Sequence, residues 1–362
     1  MTVLLLGGTG AMGTALAEIL DKMNFEIYVT SRAQKEDFGN VHYIMGNAMD
    51  SCFLSSVTAD KRYDCIVDFF DYDTNTFKKN VETILKAAGQ YIFLSSARVY
   101  APSNGVITEK SARLLEACSD KEFLKTDEYP IHKARQEDFL KELCEKDINY
   151  HYTIVRPYIT YNTERLQLGV AEKEQWLFRA LNGRTIVFPE SIGEYWTTLS
   201  YGYDVSKTIA ALIGNAHAMN ETFHIAGAPS VKWKEILKRY VCILETVTGE
   251  KPKVLIYDDI EDYSKRTRRI TQLKYDRLSN RVFDNSKVES VIGLNSEMYR
   301  EPGGGVEICL KEFLKKPVWR RISSREEAYC DRLCKERTPL KTFPGIKEKV
   351  KYVIFRYMPY FR

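Results

Sequence analysis

Glycines recur at every third position near the start of the chain, in the segment Gly-Gly-Thr-Gly-Ala-Met-Gly that begins at Gly7. An apolar run precedes the segment and a helical pattern follows it. In that setting Gly7 permits a tight turn, Gly10 lets the backbone approach a pyrophosphate, and Gly13 lets helix and strand pack closely. The N–H groups at the start of the helix would bind the phosphates. The predicted cofactor contacts in this turn are Gly7, Thr9, Gly10, Ala11, Met12 and Gly13.

The residues Ser31 and Arg32 follow the second apolar run, where the adenosine ribose of a dinucleotide is expected. An acidic residue there would bind the 2′-hydroxyl of NAD and repel a 2′-phosphate. This sequence has no acid at the position, and Ser31 and Arg32 could bind that phosphate. The pattern favours NADP over NAD. The alternative is that Arg32 is a solvated surface arginine.

A tyrosine and a lysine one helical turn apart, Tyr129 and Lys133, are the candidate catalytic pair. Their spacing puts both side chains on one face of a helix. A chain with 23 tyrosines should contain chance matches, and Tyr203 with Lys207 is indeed a second one. Tyr129 lies between the fifth and sixth apolar runs, whereas Tyr203 comes much later. Position therefore favours Tyr129.

A parallel sheet would bring these segments together. The first 160 residues alternate short apolar runs with helical patterns, which is typical of repeated βαβ units. The runs span 2–6, 25–30, 41–45, 64–70, 91–95 and 150–156. Between the first two, apolar residues recur with helical spacing and predict an amphipathic crossover helix. We predict an α/β fold with a Rossmann-type doubly wound parallel sheet and a smaller C-terminal substrate lobe.

The predicted organisation has three parts. Residues 1–157 form an NAD(P)-binding Rossmann domain. Residues 158–318 form mainly the substrate lobe, with 201–226 returning to the Rossmann sheet. Residues 319–362 are a basic C-terminal extension.

The composition is that of a soluble globular protein, with 362 residues, 44% hydrophobic and 28% charged. The N-terminus lacks the pattern of a signal peptide, and no run approaches the ~18 apolar residues of a membrane helix. The eight cysteines are scattered, as expected for reduced thiols, so we expect a cytoplasmic protein. Cys330 and Cys334 have helical spacing but no second ligand pair, and no metal site is predicted.

The C-terminal tail differs in charge from the rest of the chain. Residues 319–362 contain twelve Lys or Arg and five Asp or Glu, a charge of +7, which leaves −3 for the remainder of a net +4. The final stretch interleaves basic and aromatic residues and could contact an anionic membrane surface. The alternative is a helix packed on its own domain or on a dimer partner through Val350, Val353, Ile354 and Phe355. Nucleic-acid binding is not expected, because the rest of the chain is slightly acidic.

The order of these motifs resembles the extended branch of the short-chain dehydrogenase/reductase superfamily, the NAD-dependent epimerase/dehydratase family with its nucleotide-sugar epimerases. The resemblance covers roughly residues 1 to 315. The supporting marks include the Gly-x-x-Gly-x-x-Gly spacing, Ser-Ala-x-Val-Tyr from Ser96, Glu137 after Lys133, Arg156-Pro157, and Asp-Asn-Ser-Lys from Asp284.

The resemblance implies roles for individual residues. Tyr129 would be the general acid/base, Lys133 would bind the nicotinamide ribose and favour the phenolate, and Ser96 would bond the reacting oxygen. A phenol with a pKa near ~10 is a poor base until a cation stabilises its anion. Asn47 and Ala48 follow the third run where the family binds adenine, and Asn47 replaces the usual acid but keeps an acceptor.

Several positions depart from the family pattern. Family dehydratases have an Asp-Glu pair where this chain has Ala97 and Arg98, which disfavours a 4,6-dehydratase. Ile159 and Thr197 stand where many epimerases have an Asn and an Arg that hold the nucleotide sugar. The phosphate charge could instead come from Arg268, Arg269 or Arg277, and the alternative is that these are surface residues.

The resemblance predicts an NAD(P)-dependent enzyme, a homodimer, that acts on a secondary hydroxyl of a sugar, most simply of a nucleotide sugar. An epimerase would pass through a keto intermediate without consuming cofactor. A keto-sugar reductase would consume NADPH. A third hypothesis is a non-catalytic Rossmann protein that binds a dinucleotide or RNA.

Overall fold

The computed structural model describes residues 1–59, 61–293 and 299–358, apart from the side chain of Ala11. Contacts divide the chain into two compact units. The first comprises Met1–Thr160, Thr198–Pro229 and Val282–Pro302, and the second comprises Tyr161–Thr197, Ser230–Arg281 and Gly303–Arg362. The chain thus passes between the units several times, whereas the sequence analysis places its boundaries at 157 and 318. The role of each unit stays a prediction.

The strands of the described residues are short. In chain order they are β1 (Thr2–Leu6), β2 (Glu26–Ser31), β3 (Val41–Met45), β4 (Tyr63–Asp68), β5 (Ala88–Leu94), β6 (Tyr152–Pro157), β7 (Thr160–Tyr161), β8 (Ile186–Pro189), β9 (Trp196–Thr197), β10 (Ser200–Tyr201), β11 (Glu221–Ile225), β12 (Val231–Lys232) and β13 (Val254–Tyr257).

The α-helices vary more in length. In chain order they are α1 (Ala11–Lys22), α2 (Ser51–Thr58), α3 (Thr74–Ala87), α4 (Leu114–Ala117), α5 (Lys121–Lys125), α6 (Tyr129–Lys146), α7 (Lys173–Leu181), α8 (Gly202–Leu212), α9 (Trp233–Thr248), α10 (Ile260–Thr267), α11 (Ile270–Gln272), α12 (Ser286–Ile292), α13 (Pro302–Lys315), α14 (Ser324–Leu333) and α15 (Gly345–Tyr357).

A seven-stranded parallel sheet is the centre of the first unit. Its strand order is β11-β6-β5-β4-β1-β2-β3. The pairing register places Val3 of β1 opposite Ile27 of β2 on one side and Cys65 of β4 on the other. This is the doubly wound order of a Rossmann sheet, so the predicted fold class is confirmed. The carboxyl ends of β1, β4 and β5 lie side by side along one edge.

Alternate residues of the central strand β1 enter two different cores, because successive side chains point to opposite faces. Val3 and Leu5 pack with side chains of α1, α8 and α12. Leu4 and Leu6 pack with side chains of α2, α3 and α6. All four side chains are fully buried. Helices α6 and α8 therefore cover opposite faces of the sheet.

The second unit is built from short strand pairs and helices. Strand β8 pairs in parallel with β13, and β9 pairs antiparallel with β12. The rings of Trp176 in α7 and Tyr240 in α9 lie 4.3 Å apart between their centroids, in the interior. Within the described residues, no helix of the chain is both long and apolar enough to cross a membrane.

A buried ion-pair network fastens α14 to α7. The guanidinium of Arg179 lies 2.9 Å from Asp331, 3.1 Å from Glu327 and 2.8 Å from Glu336. Arg184 also pairs with Glu327. Charges that are taken out of water need close partners. The network therefore holds the first part of the basic extension, which includes α14, against α7 within the second unit.

The last helix, α15, packs on one side and is exposed on the other. The hydroxyl of Tyr352 donates to Asp331 at 2.6 Å, and its ring stacks on Phe343 at 5.0 Å. Of the residues that the packing alternative names, Phe355 is partly buried against the cluster that contains Tyr352 and Phe343. Val350 and Val353 are instead 49% and 40% exposed. The helix is therefore held by Tyr352 and Phe355 rather than by those valines. The tail residues 359–362 lie outside the described residues.

Candidate active site

The glycine turn between β1 and α1 has three distinct backbone requirements. Gly7 has a φ of +68°, a conformation that favours glycine, and a Cβ there would lie 2.8 Å from the ring of Phe70. A Cβ on Gly13 would lie 2.5 Å from the backbone of Gly8. A Cβ on Gly10 would meet nothing within 4 Å, and no side chain caps the helix that Gly10 opens. The N-terminus of α1 thus presents N–H groups to an open space that fits a pyrophosphate.

The predicted adenosine contacts lie at the ends of β2 and β3. The Ser31 hydroxyl donates to the Ala33 carbonyl at 2.7 Å, so it is used within its own turn. Arg32 is exposed and has no carboxylate partner among the residues that the structure describes. Asn47 is exposed, whereas Ala48 is fully buried. Of these four residues, Arg32 and Asn47 have exposed side chains, and Asn47 Oδ1 accepts from the Met49 amide at 3.3 Å.

Tyr129 is the first residue of α6, and Pro130 follows it in the first turn. Proline is suited to this position, because the first N–H groups of a helix have no partner within it. Tyr129 is half-buried, with the guanidinium of Arg98 at 5.1 Å and the ring of His132 at 5.5 Å from its ring centroid. A cation and an imidazole therefore flank the phenol.

Lys133 lies one helical turn after Tyr129 and is only 2% exposed. Its ammonium donates to the carbonyl oxygens of Phe70 at 3.0 Å and Leu94 at 2.9 Å. Burial lowers its pKa, and the carboxylates of Asp71 and Asp68 oppose that effect. Two of the three ammonium donors thus bind carbonyls just past β4 and at the end of β5, and the ammonium also lies 3.9 Å from Oδ1 of Asp71.

Ser96 follows β5 and opens a short 3-10 turn, Ala97–Val99. Its hydroxyl oxygen accepts from the Arg98 amide at 3.2 Å, so the hydroxyl proton can still be donated. The preceding Ser95 points elsewhere, because its hydroxyl donates to Glu137 at 2.5 Å. The two adjacent serines therefore differ, and within the described residues Ser96 is the one whose hydroxyl proton has no acceptor.

A buried carboxylate, Glu137, orients the helix that contains Tyr129 and Lys133. Arg156 of β6 pairs with it through Nε at 2.8 Å and Nη2 at 2.5 Å. Arg113 adds a third contact at 3.1 Å. Burial alone would raise the pKa of Glu137, but the two arginines and Ser95 hold it below its ordinary value. Glu137 and Arg156 belong to the family resemblance, whereas Arg113 comes from a distant loop and was not predicted from the sequence.

Asp68, the last residue of β4, is a second buried carboxyl, and it was not predicted from the sequence. Tyr91 donates to it at 2.9 Å and the Phe70 amide at 3.0 Å. Burial raises its pKa to about 6. The available signal was an acidic residue between apolar residues near the end of the run 64–70. Next to it, Asp71 bonds the imidazole of His132 at 2.8 Å.

The rival pair, Tyr203 and Lys207, lies on α8. Neighbouring residues of that helix, Val205 and Ile209, pack in the core that contains α1. Helix α6 packs in the other core through Leu140. The two Tyr-x-x-x-Lys motifs are thus on opposite faces of the sheet, and only Lys133 reaches the ends of β4 and β5.

The arginines considered for phosphate binding are not equivalent. Arg277 is buried, donates to the Gly169 carbonyl at 3.0 Å and pairs with Asp276. The surface alternative is therefore wrong for Arg277, and its charge is already balanced. Arg268 is exposed and Arg269 partly exposed.

Comparison with protein families identifies one match. Residues 3–226 match the model of the NAD dependent epimerase/dehydratase family. The match spans the glycine turn, Ser96, Tyr129 and Lys133. No curated protein sequence matches the chain significantly.

Solved structures of the same architecture are numerous. An epimerase from Methanothermobacter thermautotrophicus has a TM-score of 0.67 and 14% identity over 87% of this chain and 92% of its own. A dTDP-glucose 4,6-dehydratase from Bacillus anthracis, in complex with NAD, has a TM-score of 0.67 and 14% identity, and the match covers 88% of this chain and 98% of the dehydratase chain. A UDP-glucose 4-epimerase from Bifidobacterium longum, in complex with NAD+ and UDP, has a TM-score of 0.64 and 16% identity, and the match covers 88% of this chain and 99% of the epimerase chain. At such identities the similarity shows a common fold.

Proposed function

Because the chain belongs to the NAD dependent epimerase/dehydratase family, we propose that it epimerises a nucleotide sugar through a keto intermediate. Membership makes it an NAD(P)-dependent enzyme of the extended short-chain dehydrogenase/reductase type, rather than the non-catalytic binding protein that the sequence also allows. The finer assignment depends on the arrangement of Ser96, Tyr129 and Lys133.

One observation supports this assignment above the others. Lys133 bonds the Phe70 carbonyl, and the Phe70 ring lies against Gly7 of the glycine turn. Ser96 follows β5, the strand whose last carbonyl also binds Lys133. The proposed proton-transfer residues and the dinucleotide turn are therefore on one edge of one sheet, as a reaction between cofactor and substrate requires.

The proposed chemistry assigns one task to each side chain. The nicotinamide, when bound, exchanges hydride with the sugar carbon. Tyr129 removes the proton from the sugar hydroxyl and later returns it, acting as general base and then acid. Ser96 donates a hydrogen bond to the reacting oxygen. The Lys133 ammonium and the Arg98 guanidinium stabilise the phenolate by their positive charge.

Arg98 also bears on which reaction is catalysed. A 4,6-dehydratase needs an acid and a base next to the reacting sugar, but the two positions after Ser96 are a buried alanine and an arginine. Neither can transfer a proton at neutral pH. The proposal therefore keeps epimerisation and sets dehydration aside, although dehydratases share the fold.

A keto-sugar reductase is the second candidate function. Arg32, exposed and without a carboxylate partner in the described chain, suits the 2′-phosphate of NADP. A preference for NADPH would fit an enzyme that consumes reduced cofactor. The two solved structures described above that contain a cofactor hold NAD.

The experiment that separates these functions is an assay of the purified protein with UDP- and dTDP-sugars, followed by nuclear magnetic resonance. An epimerase converts substrate with catalytic amounts of cofactor, whereas a reductase needs stoichiometric NADPH and a keto-sugar. The Tyr129→Phe variant serves as the inactive control. Turnover that survives this substitution would refute the proposed site. Sedimentation velocity tests the predicted homodimer.

We also propose that α15 attaches the protein to anionic membrane surfaces. Its outer side chains Ile346, Val350, Val353 and Tyr357 recur with helical spacing and are 80%, 49%, 40% and 49% exposed. Lys347 and Lys349 flank this apolar stripe on its two sides. An apolar stripe between cations is the pattern of helices that lie in the lipid interface.

A further inference from the structure

A groove in the second unit lies between α10, the start of α14 and α15. Its volume is about 450 Å³. Five of its lining side chains are cationic: Arg266, Arg268, Arg321, Arg325 and Lys351. We call it the arginine groove. All of its lining residues lie outside the segment 3–226 that matches the family model, so the groove shares no residue with the dinucleotide turn.

The protein balances only part of the positive charge of the arginine groove. Glu348 already binds Arg321 at 2.6 Å and Lys351 at 3.0 Å. Arg266 pairs with Asp262 at 2.9 Å. Arg268 and Arg325, by contrast, have no ion-pair partner among the residues that the structure describes.

The electrostatics at Arg325 reflect this excess of positive charge. Burial lowers its pKa, and repulsion by Arg268 and Arg266 lowers it further. The partly buried carboxyl of Glu326 acts in the opposite direction but is outweighed. The arginine is nonetheless held in place, since its guanidinium lies 5.1 Å from the ring centroid of Phe355. A bound anion would relieve the repulsion.

Two of the three hydroxyl groups in the groove donate within the fold: Ser324 to Glu348 at 2.7 Å and Thr267 to the Tyr263 carbonyl at 2.7 Å. Ser323 caps α14 by accepting from the Glu326 amide at 3.3 Å. Recognition must therefore come mainly from the guanidinium groups. Their planar arrangement of donors matches the oxygens of a phosphate group, and the volume is that of a small-molecule site.

We propose that the arginine groove binds a phosphate-bearing ligand, held mainly by Arg268 and Arg325. The ligand is either a soluble phosphate ester or a phospholipid headgroup, since both present the same anion. The site is additional to the cofactor site and does not depend on which sugar the enzyme converts.

The test is a calorimetric titration of the full-length protein with inorganic pyrophosphate. The protein is first saturated with NAD, and in a second series with NADP, so that the glycine turn is not available to the probe. The double variant Arg268→Gln/Arg325→Gln should weaken binding by at least about tenfold, because two charge-assisted contacts are lost. The matched control Arg62→Gln/Arg337→Gln removes two exposed arginines elsewhere and should bind as the wild type does.

Thermal unfolding keeps the test independent of folding defects. Without probe, the groove variant should unfold at the wild-type temperature or above it, since like-charge repulsion is removed. Pyrophosphate should raise the unfolding temperature of wild type and control but not of the groove variant. The second arm uses phosphatidylcholine vesicles that contain phosphatidic acid. If the wild type binds these vesicles and the groove variant does not, the ligand is a lipid headgroup. If the groove variant loses binding to pyrophosphate only, the ligand is a soluble phosphate ester. The proposal would be overturned if the wild type bound neither pyrophosphate nor the vesicles. It would also be overturned if the groove variant and the control variant bound both probes equally well.

Discussion

The ammonium of Lys133 donates a hydrogen bond to the carbonyl oxygen of Phe70 at 3.0 Å. The ring of the same phenylalanine lies against Gly7, where a Cβ would be only 2.8 Å from it. Phe70 thus contacts both the dinucleotide turn and the proposed catalytic helix. Because these contacts join β1, β4 and α6, a displacement of one of these elements should also move the other two.

Replacement of Tyr129 by Phe should reduce kcat by about 100- to 10,000-fold, the usual contribution of a general acid/base. Cofactor affinity should change little, because the ring remains beside Arg98. Steady-state kinetics and cofactor titration measure the two effects. Tyr203→Phe is the matched control and should be nearly silent, since its helix covers the opposite face of the sheet. A loss of activity in the Tyr203 variant alone would show that the wrong motif was chosen.

Arg32→Asp should shift the cofactor preference from NADP toward NAD. The substitution removes the proposed partner of the 2′-phosphate and places a negative charge there. Titration of wild type and variant with both cofactors gives the ratio of dissociation constants. Arg62→Asp makes the same charge change at another exposed arginine of the first unit. If the ratio is the same in all three proteins, Arg32 does not contact the cofactor.

Glu137→Gln should lower the free energy of unfolding by about 3 to 5 kcal/mol. The neutral amide would leave Arg156 and Arg113 without their buried counter-charge. Urea unfolding monitored by circular dichroism measures the loss. Glu142→Gln removes an exposed carboxylate of the same helix, paired with Lys146 at 2.5 Å, and should leave stability nearly unchanged. Equal effects of the two substitutions would rule out a special role for the buried network.

Asp68→Asn should change how stability depends on pH. The pKa of Asp68 is about 6 in the folded chain, above its ordinary value of 3.8. A carboxyl with a raised pKa binds more protons when folded, so it favours the folded state at low pH and this contribution is lost as pH rises from about 4 to about 6. The difference corresponds to on the order of 3 kcal/mol.

Unfolding by urea at several pH values between 4 and 7 measures this dependence. The Asp68→Asn variant should lose the decline of stability in that window, relative to wild type. The exposed Glu145 provides a control through Glu145→Gln, which should keep the wild-type profile. A parallel decline in wild type and the Asp68 variant would show that another group titrates there.

The outer face of α15 should mediate salt-sensitive binding to anionic vesicles. The variant Ile346→Ser/Val350→Ser/Val353→Ser should lose co-sedimentation and keep its unfolding temperature, because these side chains are exposed. Tyr352→Phe should lower the unfolding temperature and keep co-sedimentation, since it removes the buried hydrogen bond to Asp331. Deletion of residues 345–362 should abolish binding and also destabilise the protein.

High salt should weaken the vesicle binding of the intact protein, because dissolved ions screen the attraction between basic residues and anionic lipid. Each such residue contributes only about 1 kcal/mol. Equal sedimentation of intact protein and triple variant would remove the membrane proposal. A triple variant that instead splits an oligomer would assign the stripe to a second copy of the chain.

The sequence alone was sufficient for the sheet and for the local motifs. Alternating apolar runs and helical patterns predict a Rossmann-type sheet, and the spacing of Gly7, Gly10 and Gly13 predicts the turn between β1 and α1. These features depend on residues close together in the chain, so periodicity and residue type are enough to reveal them. The order of the runs was also enough to prefer Tyr129 over Tyr203.

Tertiary structure decided which distant side chains meet. Arg113 reaches Glu137 from a loop 24 residues away, and the Phe70 contacts need β1, β4 and α6 in place together. The burial of Arg277 and the outward direction of Val350 also depend on neighbours that no local pattern specifies. The pKa of Asp68 is the clearest case, because it is set by how much water the surrounding strands exclude, and that quantity exists only once the chain is folded.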